Sequence, residues 1–93
     1  MDEQTRSEHV KTYHVTATTE SGELCKCNKK RTGLLVYNNG DQIVYILGSQ
    51  TTQKEDGIPV APGRSYENNT SYGALWQIAE SGSQNLRVEE DTD

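Results

Sequence analysis

Between Gly33 and Val88 the chain alternates short apolar runs with clusters of turn-forming residues, and no stretch repeats its apolar positions at helical spacing. Residues 9 to 17, His9-Val10-Lys11-Thr12-Tyr13-His14-Val15-Thr16-Ala17, are rich in β-branched and aromatic types and predict a strand. Thr18 to Glu23 contains Ser21-Gly22 and predicts a turn; Leu24 to Arg31 is polar and cationic, a loop or short edge strand. Gly33–Asn38 and Gln42–Leu47 follow as two apolar runs around Asn39-Gly40. Asn and Gly tolerate the positive φ of tight primed turns, so this stretch predicts a β-hairpin. Its near-continuous apolar character predicts strands covered on both faces, in the middle of the fold.

The second half reads in the same way. Gly48 to Lys54 is a polar link, and Asp56-Gly57 marks a turn. Ile58-Pro59-Val60-Ala61-Pro62-Gly63 carries two prolines, which exclude a central strand and predict an extended edge segment ending in a turn. Ser65 to Glu67 is a short strand candidate, and Asn68 to Gly73 a loop with an exposed tip. Ala74 to Glu80 is apolar enough for helix or strand; strand is preferred because Ser81-Gly82 links it to Asn85-Leu86-Arg87-Val88-Glu89 as a hairpin with a core face and a wet face. The expected fold is all-β, a small antiparallel sandwich or barrel of about seven strands. Its predicted organisation is a flexible polar arm over residues 1–8, one β domain over 9–90 and an acidic tail at 91–93.

Composition narrows the picture. The 93 residues are 31% hydrophobic, with no Phe, one Met and one Trp, against roughly 45–50% apolar, glycine included, in ordinary globular domains. A chain of this size buries only roughly 60–65% of its unfolded surface. So thin a core predicts an oligomer, since subunit contacts commonly supplement small cores. The net charge of −5 argues against binding the phosphate backbone of nucleic acids. No apolar run reaches the roughly 18 residues of a membrane span, and the charged first residues lack a signal peptide's apolar stretch. Cytosolic synthesis, with no membrane partner, is the expectation.

Candidate chemistry is sparse. Gly40, Gly48 and Gly57 are too dispersed for a phosphate-cradling loop, and no Gly-x-Ser-x-Gly elbow occurs. Cys25 and Cys27 would share one face of an extended segment. They fit a strained bridge, two of the four ligands of a metal site, or plain reduced thiols. His9 and His14 are the only histidines, and an odd spacing puts them on opposite faces of a strand. The plain thiols are the simplest reading, and neither a cofactor nor an enzyme's nucleophile–base pair is predicted. The cationic Lys29, Lys30 and Arg31 could dock on an acidic partner or merely offset an acidic chain. Trp76 could be core or an interface anchor. With Asn68, Asn69 and Tyr72 of the exposed loop, these complete the candidate partner contacts.

The order of the pieces carries more than any one of them. The chain has Asn28-Lys29-Lys30-Arg31, then Leu34-Leu35-Val36-Tyr37-Asn38-Asn39-Gly40, then Val44-Tyr45-Ile46-Leu47-Gly48. Gly57-Ile58-Pro59-Val60-Ala61-Pro62-Gly63 comes next, then Gly73-Ala74-Leu75-Trp76-Gln77-Ile78-Ala79-Glu80-Ser81-Gly82 and Leu86-Arg87-Val88-Glu89. This succession, covering about two-thirds of the chain, resembles a small β domain of tailed-bacteriophage virion proteins. Leu47 before Gly48 and the charged Lys54-Glu55-Asp56 depart from the pattern, and Cys25 and Cys27 lie outside it. The resemblance implies a non-enzymatic capsid decoration or cement protein, trimeric, that sits on the virion surface and binds the major capsid protein or another virion protein. A head-fibre or tail-associated module recognising a host-surface molecule through residues 68–73 is the alternative. No catalytic residue can be carried over.

Overall fold

The computed structural model describes residues 9–50 and 53–93; the predicted arm at 1–8 lies outside the described residues. Eight strands form: β1 (His9–Ala17), β2 (Gly22–Cys25), β3 (Arg31–Asn38), β4 (Val44–Leu47), β5 (Ile58–Val60), β6 (Ser65–Glu67), β7 (Leu75–Ala79) and β8 (Gln84–Thr92). They build two antiparallel four-stranded sheets, one ordered β1-β8-β3-β6 and the other β2-β7-β4-β5. Every connection except β4–β5 crosses from one sheet to the other. That is the strand order of an eight-stranded jelly roll. The expected β-sandwich stands, with one strand more than counted because Gly22–Cys25 pairs with β7.

Alternation decides which side chains meet between the sheets. Leu86 and Val88 of β8 and Leu34 and Val36 of β3 point inward from one sheet, against Val44, Ile46, Leu75 and Ala79 of the other. Val36, Val44, Leu86 and Val88 are fully buried, each contributing roughly 1.5–3 kcal/mol on burial. The opposite face of β3 carries the half-buried Leu35 and Tyr37, so this strand is not covered on both sides as expected. On β4 and β7, the outward Leu47 and Ile78 are buried all the same. The segment leading to β5 folds back on this face, its 3-10 turn Lys54–Asp56 held by Lys54 Nζ donating to Glu80 Oε2 at 3.1 Å. The Tyr45 hydroxyl donates to the other oxygen of Glu80 at 2.7 Å. These two donors hold the Glu80 carboxyl below the usual carboxylate range, the Tyr45 bond first.

Both predicted hairpins are overturned. β3 and β4 belong to different sheets, and so do β7 and β8. Asn39-Gly40 makes no primed turn: among the described residues, positive φ occurs only at Gly63 (78°) and Gly82 (63°). Gly40 is required for a different reason. A Cβ there would collide with Gln84 Oε1, which already accepts from Asp41 N at 2.7 Å and Gln42 N at 3.2 Å. Asn38, not Asn39, is the organising residue. Its buried amide donates to Gln42 O and Val60 O, both at 2.8 Å, and accepts from Gly40 N at 2.9 Å. Its backbone N–H donates to Arg64 O and its carbonyl accepts from Gly63 N. One side chain thus ties the crossover to the β5–β6 turn.

The predicted acidic tail is also corrected. β8 runs on to Thr92, pairing with both β1 and β3, and the inward alternation of Leu86 and Val88 continues to a buried Glu90. Glu90 is tolerated in the interior because it finds a cation there.

Candidate interaction surface

That cation is Arg31, at the opposite end of β3 from Asn38. Its side chain is 1% exposed, and Nε donates to Glu90 Oε2 at 2.8 Å. Nη1 donates to Gly73 O at 3.0 Å and lies 3.5 Å from Ser71 O. Nη2 donates to Lys26 O and approaches Cys25 Sγ at 3.3 Å. A planar guanidinium with five N–H groups can serve such a divergent set, which a lysine ammonium on a flexible stem could not. Arg31 therefore fastens the β2–β3 and β6–β7 connections together at one end of the sandwich.

Each connection is also tied locally. Asn28 Oδ1 accepts from Lys30 N at 3.0 Å, Asn28 O accepts from Arg31 N, and Asn28 N donates across to Tyr72 O at 2.9 Å. Asn68 Oδ1 accepts from Thr70 N at 3.0 Å and Ser71 N at 3.1 Å, while its Nδ2 donates to the Tyr66 hydroxyl. Asparagines favour such turns because their side chains mimic backbone acceptors. Asp93 N closes the arrangement on Lys30 O at 2.8 Å.

The structure brings six of the seven candidate contacts to this end, but in two different roles. Arg31 is buried and Asn68 half-buried, and both spend their polar groups holding the loops rather than facing a partner. Lys29, Lys30, Asn69 and Tyr72 are exposed, Tyr72 by 50%. Among the described residues neither lysine forms an ion pair. Trp76 lies apart, half-buried on the outward face of the second sheet, in register with Glu23 and Leu47. Glu90 is not among the predicted contacts because the predicted last strand ends at Glu89, one residue before it. The period-2 series Leu86, Val88, Glu90 was the signal that placed it inside.

A cleft of about 560 Å3 opens beside this end, between β1 and β2, with Tyr13, Leu24, Cys25, Cys27, Lys11 and Glu90 among its walls. Burial, reinforced by Glu90, pushes the Tyr13 hydroxyl up to about 12. Burial likewise raises the Cys25 thiol, with Arg31 acting against it. Cys25 is buried and Cys27 exposed, so the two sulfurs do not present the shared face expected of an extended pair. The β2 ladder is bulged between Glu23 and Cys25, which breaks the simple alternation. No group of three or more His, Cys, Asp or Glu among the described residues could hold a metal ion. The imidazole nearest to Cys25 in sequence, His14, meets Asn85 on the outer face at 3.3 Å.

No protein-family model matches the chain, and comparison with curated proteins finds no match. A solved structure described as "Bacillus endospore appendages form a novel family of disulfide-linked pili" is similar over 91% of this chain and 87% of that chain, with 18% sequence identity and a TM-score of 0.49.

Proposed function

We propose that this chain is a non-enzymatic structural protein of a tailed-bacteriophage virion, a decoration or cement protein that binds the head shell and stabilises it. The ordered succession of motifs from Asn28 to Glu89 supports the reading. So does the jelly-roll strand order, which recurs in viral capsid domains, although a fold by itself assigns no function. The observation that carries the proposal at residue level is the end held by Arg31. There two loops are cross-linked into one platform that displays Lys29, Lys30 and Tyr72. A preorganised platform loses little entropy on docking, and exposed cations on an acidic protein give the approach a direction. Repeated over a lattice, modest contacts add up through multivalency.

The test is co-sedimentation of the purified protein with shells lacking it. Binding at a stoichiometry near that of the shell protein, weakened by salt and by Lys29→Glu with Lys30→Glu, is the expected result. Binding at only a few copies per particle would favour a fibre or tail module instead, and failure to co-sediment would overturn both.

A further inference from the structure

The two sheets leave four outer edges, and they are not alike. β6 and β5 are three residues long, the latter interrupted by Pro59, and β2 is short and bulged. Such edges resist further pairing. β1 is nine residues long, has no proline and no bulge, and among the described residues pairs only on its β8 side.

The direction of its backbone groups follows from the register. Asn39 N donates to Asn85 O, so Asn85 aims its polar backbone at β3. Alternation along an antiparallel strand then aims the even-numbered residues of β8 at β1. Their register partners are the odd-numbered residues His9 to Ala17. Val10, Thr12, His14 and Thr16 are left with N–H and C=O pointing away from the sheet, and all four are exposed. Lys11, the one charged side chain on this strand, is largely exposed and lies 4.0 Å from Glu90 Oε1, on the odd-numbered face whose backbone groups pair with β8 rather than with the open edge.

We propose that this edge is completed by β1 of a second copy of the chain, antiparallel about a two-fold axis at Tyr13. In that register Thr12 of each copy faces His14 of the other, and Val10 faces Thr16. All four outward residues then exchange N–H and C=O groups. Lys11 falls opposite Val15 and Tyr13 opposite Tyr13, so no like charges meet. The strand is self-complementary, and the two four-stranded sheets become one of eight. Because the contact is isologous, it closes at two copies rather than the three implied by the virion resemblance. A core this small benefits from such an extension. The inference does not depend on the proposed docking platform, which lies on different residues.

Sedimentation velocity and light scattering of the full chain test it. A species of twice the 10.4 kDa chain mass is expected. Thr12→Pro removes an outward N–H while sparing the ladder to β8, and should raise the dimer dissociation constant about 10- to 100-fold. If that variant fails to fold, a charge pair serves: Thr12→Glu with His14→Glu should give monomer, and Thr12→Lys with His14→Glu should restore the dimer. Amide exchange supplies the site. Thr12 and His14 amides should gain protection with concentration, whereas Tyr13 and Val15 are protected throughout. A monomer at hundreds of micromolar, a trimer, or a dimer whose Thr12 and His14 amides exchange freely would overturn the proposal.

Discussion

Arg31 Nε donates to Glu90 Oε2 at 2.8 Å, with the two side chains 1% and 6% exposed, and no other ion pair among the described residues is buried on both sides. The pair joins the first residue of β3 to the far end of β8 across 59 positions of sequence. Attraction within a buried pair is largely offset by desolvation, so its presence is a weak reason for stability. Its disruption is another matter, since one charge is then left without a partner.

Arg31→Ala and Glu90→Ala should each destabilise the protein by about 3–5 kcal/mol, read from urea denaturation at unchanged m-value. Arg31→Ala also orphans the carbonyls of Lys26 and Gly73. Arg31→Lys should recover little, because an ammonium cannot reproduce the fork. If Arg31→Ala shifted the midpoint no more than an ordinary surface substitution, the guanidinium would not be what joins the loops.

Asn38 and Asn39 should respond in opposite ways. Asn38→Ala removes the partner of the buried Val60 carbonyl, at about 1–3 kcal/mol for a group left unsatisfied in the interior, and of the part-buried Gln42 carbonyl and Gly40 N–H. Asn39→Ala, at an exposed side chain, should stay within about 0.5 kcal/mol. Gly40→Ala should cost about 1–3 kcal/mol by overpacking against Gln84. Gly48→Ala meets no atom within 4 Å and should be neutral or slightly stabilising. Thermal melts of the four variants make the comparison. A hairpin turn at Asn39-Gly40 would reverse the order of the two asparagines.

Tyr13 makes stability depend on alkaline pH. Its hydroxyl titrates near 12 in the folded protein against 10.0 ordinarily, because burial, and then Glu90, disfavours the phenolate. A raised pKa means that the folded state binds the proton more tightly. The contribution is complete below pH 10 and is lost as pH rises from 10 to 12. Tyr13→Phe should flatten that portion of the stability profile, and phenolate absorbance should lose its latest-titrating component. An unchanged alkaline slope would contradict the assignment.

The cysteines should differ in reactivity. Cys27 is exposed, while Cys25 is buried with its thiol pKa raised, largely by burial. Since the thiolate is the reacting species, iodoacetamide should modify Cys27 in the native protein and Cys25 only after unfolding. Peptide mass spectrometry resolves the two, and equal labelling under native conditions would be inconsistent with the packing of Cys25 against Arg31.

Much of this architecture is written locally. Strand positions at β1, β3, β4, β7 and β8 follow from β-branched and apolar alternation, and the Pro59 edge and the Gly-bearing turns follow from backbone restrictions on single residues. Six of the seven candidate contacts turn out to share one end of the sandwich. Pairing was not legible. The Asn39-Gly40 signal describes how two neighbouring residues prefer to turn, but packing the inner faces of β3 and β4 against each other from separate sheets outweighs that preference. The same competition separates β7 from β8. Charge misled for a related reason: Glu89, Glu90, Asp91 and Asp93 resemble a solvated tail until Arg31 arrives from β3 and draws Glu90 inward. Sequence alone determined the positions of β1, β3, β4 and β7 and the all-β class, because these depend on side chains one or two residues apart. The tertiary structure alone decided which sheet each strand joined, and which of Arg31, Asn38 and Glu90 became core, because those outcomes depend on partners tens of residues away that desolvate together.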